Sequence, residues 1–315
     1  MSITARPINR RQVLTTLAAG LTAGILATRV DADAPDPRVA KLRALERSAR
    51  GRLGVYIHDT HTRMGVGWRA DERFSHCSSF KLSLAAMILR MAEDLRADLD
   101  EVLRWESRDM LGVSPATAAN IENGLSVGAL AQATLVTSDN TAANVLLKRF
   151  GGPAALTAYW RTLGDTVSRL DRYEPELNVT PPGTELDTTS PKAMAMTTAA
   201  LVAGSALSSA NRERLKVWMA EVRTGSQRIR EGFPRGWISG DKTGTGIGPT
   251  KHTYVDIAYG GPEGRSPIIV CAYFEPATLV EPMDPVALQT LAAVGRIASA
   301  DLLGWRKAHR SAVRR

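Results

Sequence analysis

Ser78-Ser79-Phe80-Lys81 opens a segment, residues 78–89, whose apolar side chains recur at helical spacing. A helix sets positions i and i+3 on one face, so Ser78 and Lys81 stand side by side if the segment is helical. A serine hydroxyl is a weak nucleophile until a neighbouring base takes its proton. An amine held beside it in an apolar, cationic site can have its pKa lowered enough to serve. Standing alone, the same four residues more often mark a solvated helix face. The chain around them therefore decides the reading.

Upstream, residues 36–49 read as a helix, with Val39, Leu42, Leu45 and Ala49 on one stripe and Gly51 as its stop. Residues 53–58 and 64–68 read as strands joined by a polar turn. His58 and His61 flank Asp59-Thr60 in that turn, which is a poor zinc site. Downstream to about residue 222 the pattern is mostly helical. Ser114-Pro115 and Gly152-Pro153 look like helix starts. Residues 141–150, 191–202 and 211–222 read as helices. Residues 169–191 differ, being polar, weakly periodic and interrupted by Pro175, Pro181 and Pro182. A loop of that length inside a compact domain is usually functional or disordered. Strand signals return at 236–242, 253–259 and 267–274, and a final helix is expected over 285–308.

Strands at both ends of a chain most simply share one sheet. The expected fold class is α/β of the α+β kind. An antiparallel sheet is flanked by the terminal helices, and an all-helical domain is inserted, with the active site between the two. The expected boundaries are 35–75 and 223–308 for the sheet domain and 76–222 for the helical domain.

A hydrophobic content of 44% provides for a substantial core in a chain of 315 residues. The net charge of +8 does not signal a nucleic-acid partner. Residues 1–32 carry +3 and the last ten residues carry +5, so the body between them is near neutral and offers no basic groove. We expect residues 309–315 to be a solvated basic tail. Arg10-Arg11 precedes an uncharged run, residues 12–28, and small residues surround Val30-Asp31-Ala32. That arrangement resembles a twin-arginine export signal, cleaved near residue 34, which implies a periplasmic address with no stable membrane anchor afterwards. Cys77 and Cys271 both read as small buried hydrophobes rather than a disulfide. No spacing suggests a metal site.

Three further motifs follow Ser78-x-x-Lys81 in order. They are Ser138-Asp139-Asn140 in an interhelical connection, Glu174-Pro175-Glu176-Leu177-Asn178 in the long loop, and Lys242-Thr243-Gly244 at the end of the first C-terminal strand. Each is common by chance, but the set in this order and context is specific. Across about residues 36–308 the chain resembles the class A serine β-lactamases, part of the penicillin-recognising serine enzymes.

That resemblance implies roles. Ser78 would be the nucleophile, with Lys81 holding or removing its proton. The alternative is that Glu174 does so through a water. Ser138 would relay a proton to the departing lactam nitrogen. Lys242 would polarise that relay and attract the substrate carboxylate, with Thr243, Gly244 and Thr245 beside it. Asn140 would bind the substrate's amide side chain. Backbone N–H groups of Ser78 and Thr245 would form the oxyanion hole, worth ~3 kcal/mol per donor. Glu174 would activate the deacylating water, held by Asn178, in a loop closed by Arg172 and Asp187 and carrying a cis Glu174-Pro175 bond. Arg228 matches a position that helps bind the carboxylate, and Val113 stands at the pocket mouth. Cys77 precedes the nucleophile as in some carbapenem-hydrolysing relatives. Those relatives pair it with a cysteine where this chain has Gly246, which argues against carbapenem activity.

The implied activity is hydrolysis of penicillins, and of some cephalosporins, through a serine acyl-enzyme, conferring antibiotic resistance. No cofactor is implied, the partners are small-molecule β-lactams, and a monomer is expected. The competing readings are a β-lactam sensor, or a penicillin-binding protein or DD-peptidase, that acylates without fast turnover. The loop carrying Glu174 and Asn178 counts against the penicillin-binding reading, and the cleavable-looking signal with no other apolar span counts against a membrane-tethered sensor.

Overall fold

Strands from the early and late parts of the described chain share one antiparallel sheet. The computed structural model describes residues 36–280, 282–300 and 302. Arg10-Arg11, the uncharged run after it and the basic tail lie outside the described residues. Helix α1 (Pro37–Ala49) leads into strands β1 (Gly51–Asp59) and β2 (Gly65–Trp68). Two short ribbons pair β3 (Phe74–Ser75) with β6 (Thr188–Thr189) and β4 (Val102–Leu103) with β5 (Leu125–Ser126). Among them run α2 (Phe80–Glu93), α3 (Pro115–Ala118), α4 (Val127–Val136), α5 (Asn140–Arg149), α6 (Gly152–Thr162), α7 (Pro191–Val202) and α8 (Ser209–Glu221). Strands β7 (Ile238–Ile247), β8 (His252–Gly261) and β9 (Ile268–Pro276) follow, and α9 (Pro285–Ser299) comes last. The five long strands lie in the order β2-β1-β9-β8-β7, each pair antiparallel.

Side chains alternate across a strand, and β9 uses both faces. Ile268, Val270, Ala272 and Phe274 pack with Leu42 of α1 and with Leu291 and Val294 of α9. Ile269, Cys271 and Tyr273 face the other way, into a cluster with Phe80, Leu84 and Ile88 of α2. Strand β9 is thus an unbroken apolar run because helices cover both sides. The same alternation puts Cys271 in the interior. Both cysteines are buried and free, and burial pushes each thiol's pKa up.

Helix α2 is buried from Phe80 to Leu89, on every face. A helix apolar all round belongs in a core, and this one runs from the nucleophile candidate into the helical block. Local chemistry fixes the helix starts. Asp36, Ser126, Asp139, Ser190, Ser208 and Asp284 each cap the helix that follows by accepting a backbone N–H.

Three expectations need correction. Strand β7 continues to Ile247, so Lys242-Thr243-Gly244 sits mid-strand, not at its end; β8 pairs with it through that whole length. Ser78 lies in a 3₁₀ turn, Cys77–Ser79, just before the α-helix proper. Helix α9 breaks after Ser299, where Ala300 turns to an extended backbone, instead of running unbroken through 285–308; residues 301 and 303–308 of that expected span lie outside the described residues.

Candidate active site

Ser78 is presented by a strained turn. Cys77, immediately before it, has φ 45°, a left-handed conformation that costs a non-glycine residue about 1–3 kcal/mol and persists only where the surroundings enforce it. Here β7 does so. A Cβ at Gly244 would lie 3.0 Å from the His76 carbonyl oxygen and 3.1 Å from the Ser79 nitrogen. These distances are tighter than nearly all real Cβ contacts, so any side chain here would press on the nucleophile turn, and the glycine leaves the strand room to lie against it.

Lys81 stands one turn into the helix beside Ser78, fully buried. Its Nζ donates to Ser78 Oγ at 3.0 Å, to the Ser138 carbonyl at 2.9 Å and to Asn140 Oδ1. It also lies 2.9 Å from Glu174 Oε1 in an ion pair whose side chains are both 0% exposed. Burial lowers the pKa of Lys81, and Glu174 opposes that shift. Ser78 Oγ in turn donates to Glu174 Oε1 at 3.3 Å. Serine, amine and carboxylate thus form a closed triangle within hydrogen-bond reach.

Ser138 faces this triangle from the α4–α5 connection, itself left-handed at φ 58°. Its Oγ accepts from Lys242 Nζ at 3.1 Å and lies 3.5 Å from Lys81 Nζ. Burial, and next the charge of Lys81, push the Lys242 pKa down to about 7. Two lysine side chains therefore share one hydroxyl. Asn140 donates through Nδ2 to the Gly112 carbonyl at 2.8 Å, tying the site to the loop that carries Val113. Val113 is 69% exposed.

The long loop is anchored rather than loose. Asp187 is buried and receives Arg172 Nε at 2.6 Å and the backbone N–H groups of Asp171 and Arg172. Arg172 also donates to the Val179 carbonyl at 3.0 Å. The Glu174-Pro175 bond is cis. Asn178 donates through Nδ2 to Glu174 Oε2, and its Oδ1 is buried without a hydrogen bond.

Thr243 pairs its hydroxyl with Thr224 at 2.6 Å. Arg228, only 2% exposed, donates to the carbonyls of Gly244 (2.8 Å) and Val255 (2.6 Å) and to Thr245 Oγ1 (2.7 Å). Ser78, Lys81, Ser138, Asn140, Glu174, Asn178 and Lys242 form one hydrogen-bonded network. Arg228 lies behind β7 and touches the site through Thr245.

Two residues to which the sequence reading gives no role complete the frame. Asn144 clamps the Glu174 backbone twice, accepting its N–H at 3.0 Å and donating to its carbonyl at 2.8 Å. Its position four after Asn140 puts it on the same helical face, which was the available signal. Asp139, buried, accepts from the backbone N–H groups of Ala116, Thr117 and Ala142 and from the Thr117 hydroxyl. It fixes the turn that aims Ser138.

The profile of the Beta-lactamase enzyme family matches residues 37–302. A β-lactamase of Streptomyces fradiae is 44% identical over 278 residues, covering 85% of this chain and 89% of that protein. A β-lactamase of Nocardia farcinica is 43% identical over 248 residues, 79% of this chain and 76% of that protein. Among solved structures, a class A β-lactamase of the last common ancestor of Gram-negative bacteria aligns with TM-score 0.79 at 42% identity, covering 84% of this chain and 99% of that one. A putative class A enzyme from Rhodopseudomonas palustris aligns with TM-score 0.80 at 41% identity, covering 85% and 100%. With its sheet, its nucleophile turn and its anchored loop, this chain belongs to the class A serine β-lactamases.

Proposed function

We propose that the β-lactam hydrolysis carried out by this family proceeds here through an acyl-enzyme on Ser78. The observation that carries the proposal is Lys81 Nζ bridging Ser78 Oγ, Ser138 and Glu174 in one buried network. Ser78 Oγ attacks the lactam carbonyl carbon. Its proton passes to Lys81 or, through a water, to Glu174. Backbone N–H groups of Ser78 and Thr245 receive the developing oxyanion. As the C–N bond breaks, Ser138 hands a proton to the lactam nitrogen, and Lys242 replenishes the polarity of that hydroxyl. Lys242, Thr243 and Thr245 bind the substrate carboxylate, with Arg228 holding Thr245 in place. Asn140 receives the substrate's amide arm.

Release needs a second nucleophile. Glu174 takes a proton from a water that Asn178 holds, using its unpaired Oδ1. The hydroxide adds to the acyl carbon, and the ester bond to Ser78 Oγ breaks, returning the proton to serine. Penicillins, and cephalosporins with an amide arm, fit these groups. No metal or organic cofactor enters any step.

The sheet lobe (35–75 and 223–308) and the helical lobe (76–222) supply opposite walls of the site. We assign the protein to the periplasm as a monomer, exported by the Arg10-Arg11 signal. Among the described residues no helix is long and apolar enough to cross a membrane.

Purified protein mixed with a large molar excess of benzylpenicillin is expected to consume it all, at many turnovers per molecule. Loss of one equivalent of lactam absorbance and then no more would instead make the protein a sensor or a penicillin-binding protein.

Gly246 supplies a local test. A Cβ there would lie 2.2 Å from the Asn178 carbonyl oxygen and 2.8 Å from Cys77 Sγ, closer than real contacts allow. Gly246→Ala is expected to push Asn178 away from β7 and slow deacylation about tenfold or more, since small misplacements of a positioning group cost rate steeply. Stopped-flow traces would show acyl-enzyme accumulating in the variant. Parent-like deacylation would mean the loop tolerates the shift.

A further inference from the structure

His76 stands where four elements meet. It follows strand β3 directly and precedes the left-handed Cys77. Its backbone N–H donates to the Asp187 carbonyl at 2.9 Å, one rung beyond the β3–β6 ribbon. Asp187 is the residue that closes the long loop. The His76 carbonyl accepts the Ser79 N–H at 3.1 Å and the Ser79 hydroxyl at 2.7 Å. Gly244 of β7 lies against the same carbonyl oxygen. One residue thus holds the loop closure through its N–H and the nucleophile turn through its carbonyl.

The ring of His76 sets where that backbone sits. It is 0% exposed and stacks on the buried Trp160 of α6, with centroids 4.8 Å apart and planes 7° from parallel. Stacked aromatic pairs gain more than the area they bury. Burial pushes the His76 pKa down to about 3; Asp165 and Asp171 oppose that shift and Arg73 adds to it. The ring is therefore uncharged at working pH. Neither ring nitrogen makes a hydrogen bond, so the stack is what orients the side chain. The same helix holds the start of the loop. Thr157, three residues before Trp160 on one face of α6, accepts the Leu170 N–H at 2.9 Å and donates to the Leu170 carbonyl at 3.1 Å.

A left-handed non-glycine residue persists only where its surroundings over-determine it. Strand β7 constrains Cys77 from one side. We infer that His76 is a positioning residue that constrains it from the other, its stack on Trp160 locking the Ser78 turn and the Glu174 loop into one frame. A shift of this ring then reaches both chemical steps. Acylation feels it through the turn that aims Ser78, and deacylation through Asp187 and the loop it closes. The inference rests on the acyl-enzyme reading of the site given above.

Stopped-flow traces with benzylpenicillin separate the two steps. His76→Ala is expected to slow acylation and deacylation alike, each about tenfold or more, because small misplacements of reacting groups cost rate steeply. KM follows the ratio of the two steps, so kcat should fall while KM stays within about threefold of the parent's. Loss of folded protein alone would lower the amplitude and leave both rate constants unchanged. His76→Leu keeps the volume without a flat face. It should show the same pattern, and it carries the test if the alanine variant does not fold. His76→Phe keeps the flat face and deletes the two unpaired nitrogens. It should restore both rates with the parent's pH profile. Deacylation slowed alone, with KM falling, or acylation slowed alone, with KM rising, would overturn the shared frame. Parent-like rates in His76→Ala and His76→Leu would also overturn it, as would a His76→Phe variant as slow as His76→Ala. A parent protein that forms no acyl-enzyme would overturn the reading of the site and this inference with it. A parent that turns over beside unimpaired variants overturns only the role of His76.

Discussion

Glu174→Ala is expected to leave Ser78 able to react with benzylpenicillin but unable to let the product go. Acylation keeps its nucleophile, its Lys81 base and its oxyanion donors. Deacylation loses the carboxylate that Asn178 and Asn144 hold in place. A positioned general base is worth typically 10²–10⁴ in rate, so kcat should fall by about 10³-fold. The time course should change shape, from steady hydrolysis to a burst of one equivalent per protein. The variant also leaves Lys81 without its carboxylate partner. Lys81 is then easier to deprotonate, since burial disfavours its charge and the main group opposing that, Glu174, is gone. Acylation should therefore persist. Parent-like turnover would assign water activation to another group. Glu176, in the same loop, would be tested next.

Lys81→Met removes the other half of the same pair and should cost both rate and stability. Lys81 and Glu174 are fully buried at 2.9 Å. Removing one member of a buried ion pair leaves the other charge uncompensated, typically at about 3–5 kcal/mol. Urea unfolding should register that loss. Acylation should slow about 10²–10⁴-fold as the proton acceptor beside Ser78 disappears. The double variant Lys81→Met/Glu174→Gln separates the two effects. It holds no unpaired buried charge, so most of the stability should return while the rate should not. A single variant as stable as the parent would mean that water or a neighbouring donor compensates Glu174. A double variant as unstable as the single would trace the loss to packing instead.

The parts of this molecule legible in its sequence are those governed by local pattern. Period-2 and period-3.6 repeats mark the sheet and its helices, and Ser-Pro or Gly-Pro pairs mark helix starts. The strand ends were less legible. Strand β7 runs on through Thr243 to Ile247 because it pairs with β8 and packs on the nucleophile turn, and Gly244 and Gly246 disguise that continuation. The catalytic motifs could be found because each keeps its residues close in sequence. What brings the motifs together could not. Asp139 reaches Thr117, Asn144 reaches Glu174, and Arg228 reaches under β7 to Thr245. Those are contacts across the fold, made by residue types that occur on any polar surface. The Arg172–Asp187 pair is intermediate. Read as two charges it is an ordinary surface bridge, worth little. With Asp187 buried and receiving two backbone N–H groups besides, it becomes the knot that closes the loop.

The most direct test of the account is to find the acylated atom. Glu174→Ala, mixed with benzylpenicillin, quenched in acid and digested, should carry one added penicillin mass per protein, confined to the peptide that contains Ser78. Fragmentation should place it on Ser78 rather than Ser79 or Ser83. An adduct on Ser138, or a protein that loses its substrate without ever gaining mass, would contradict the mechanism.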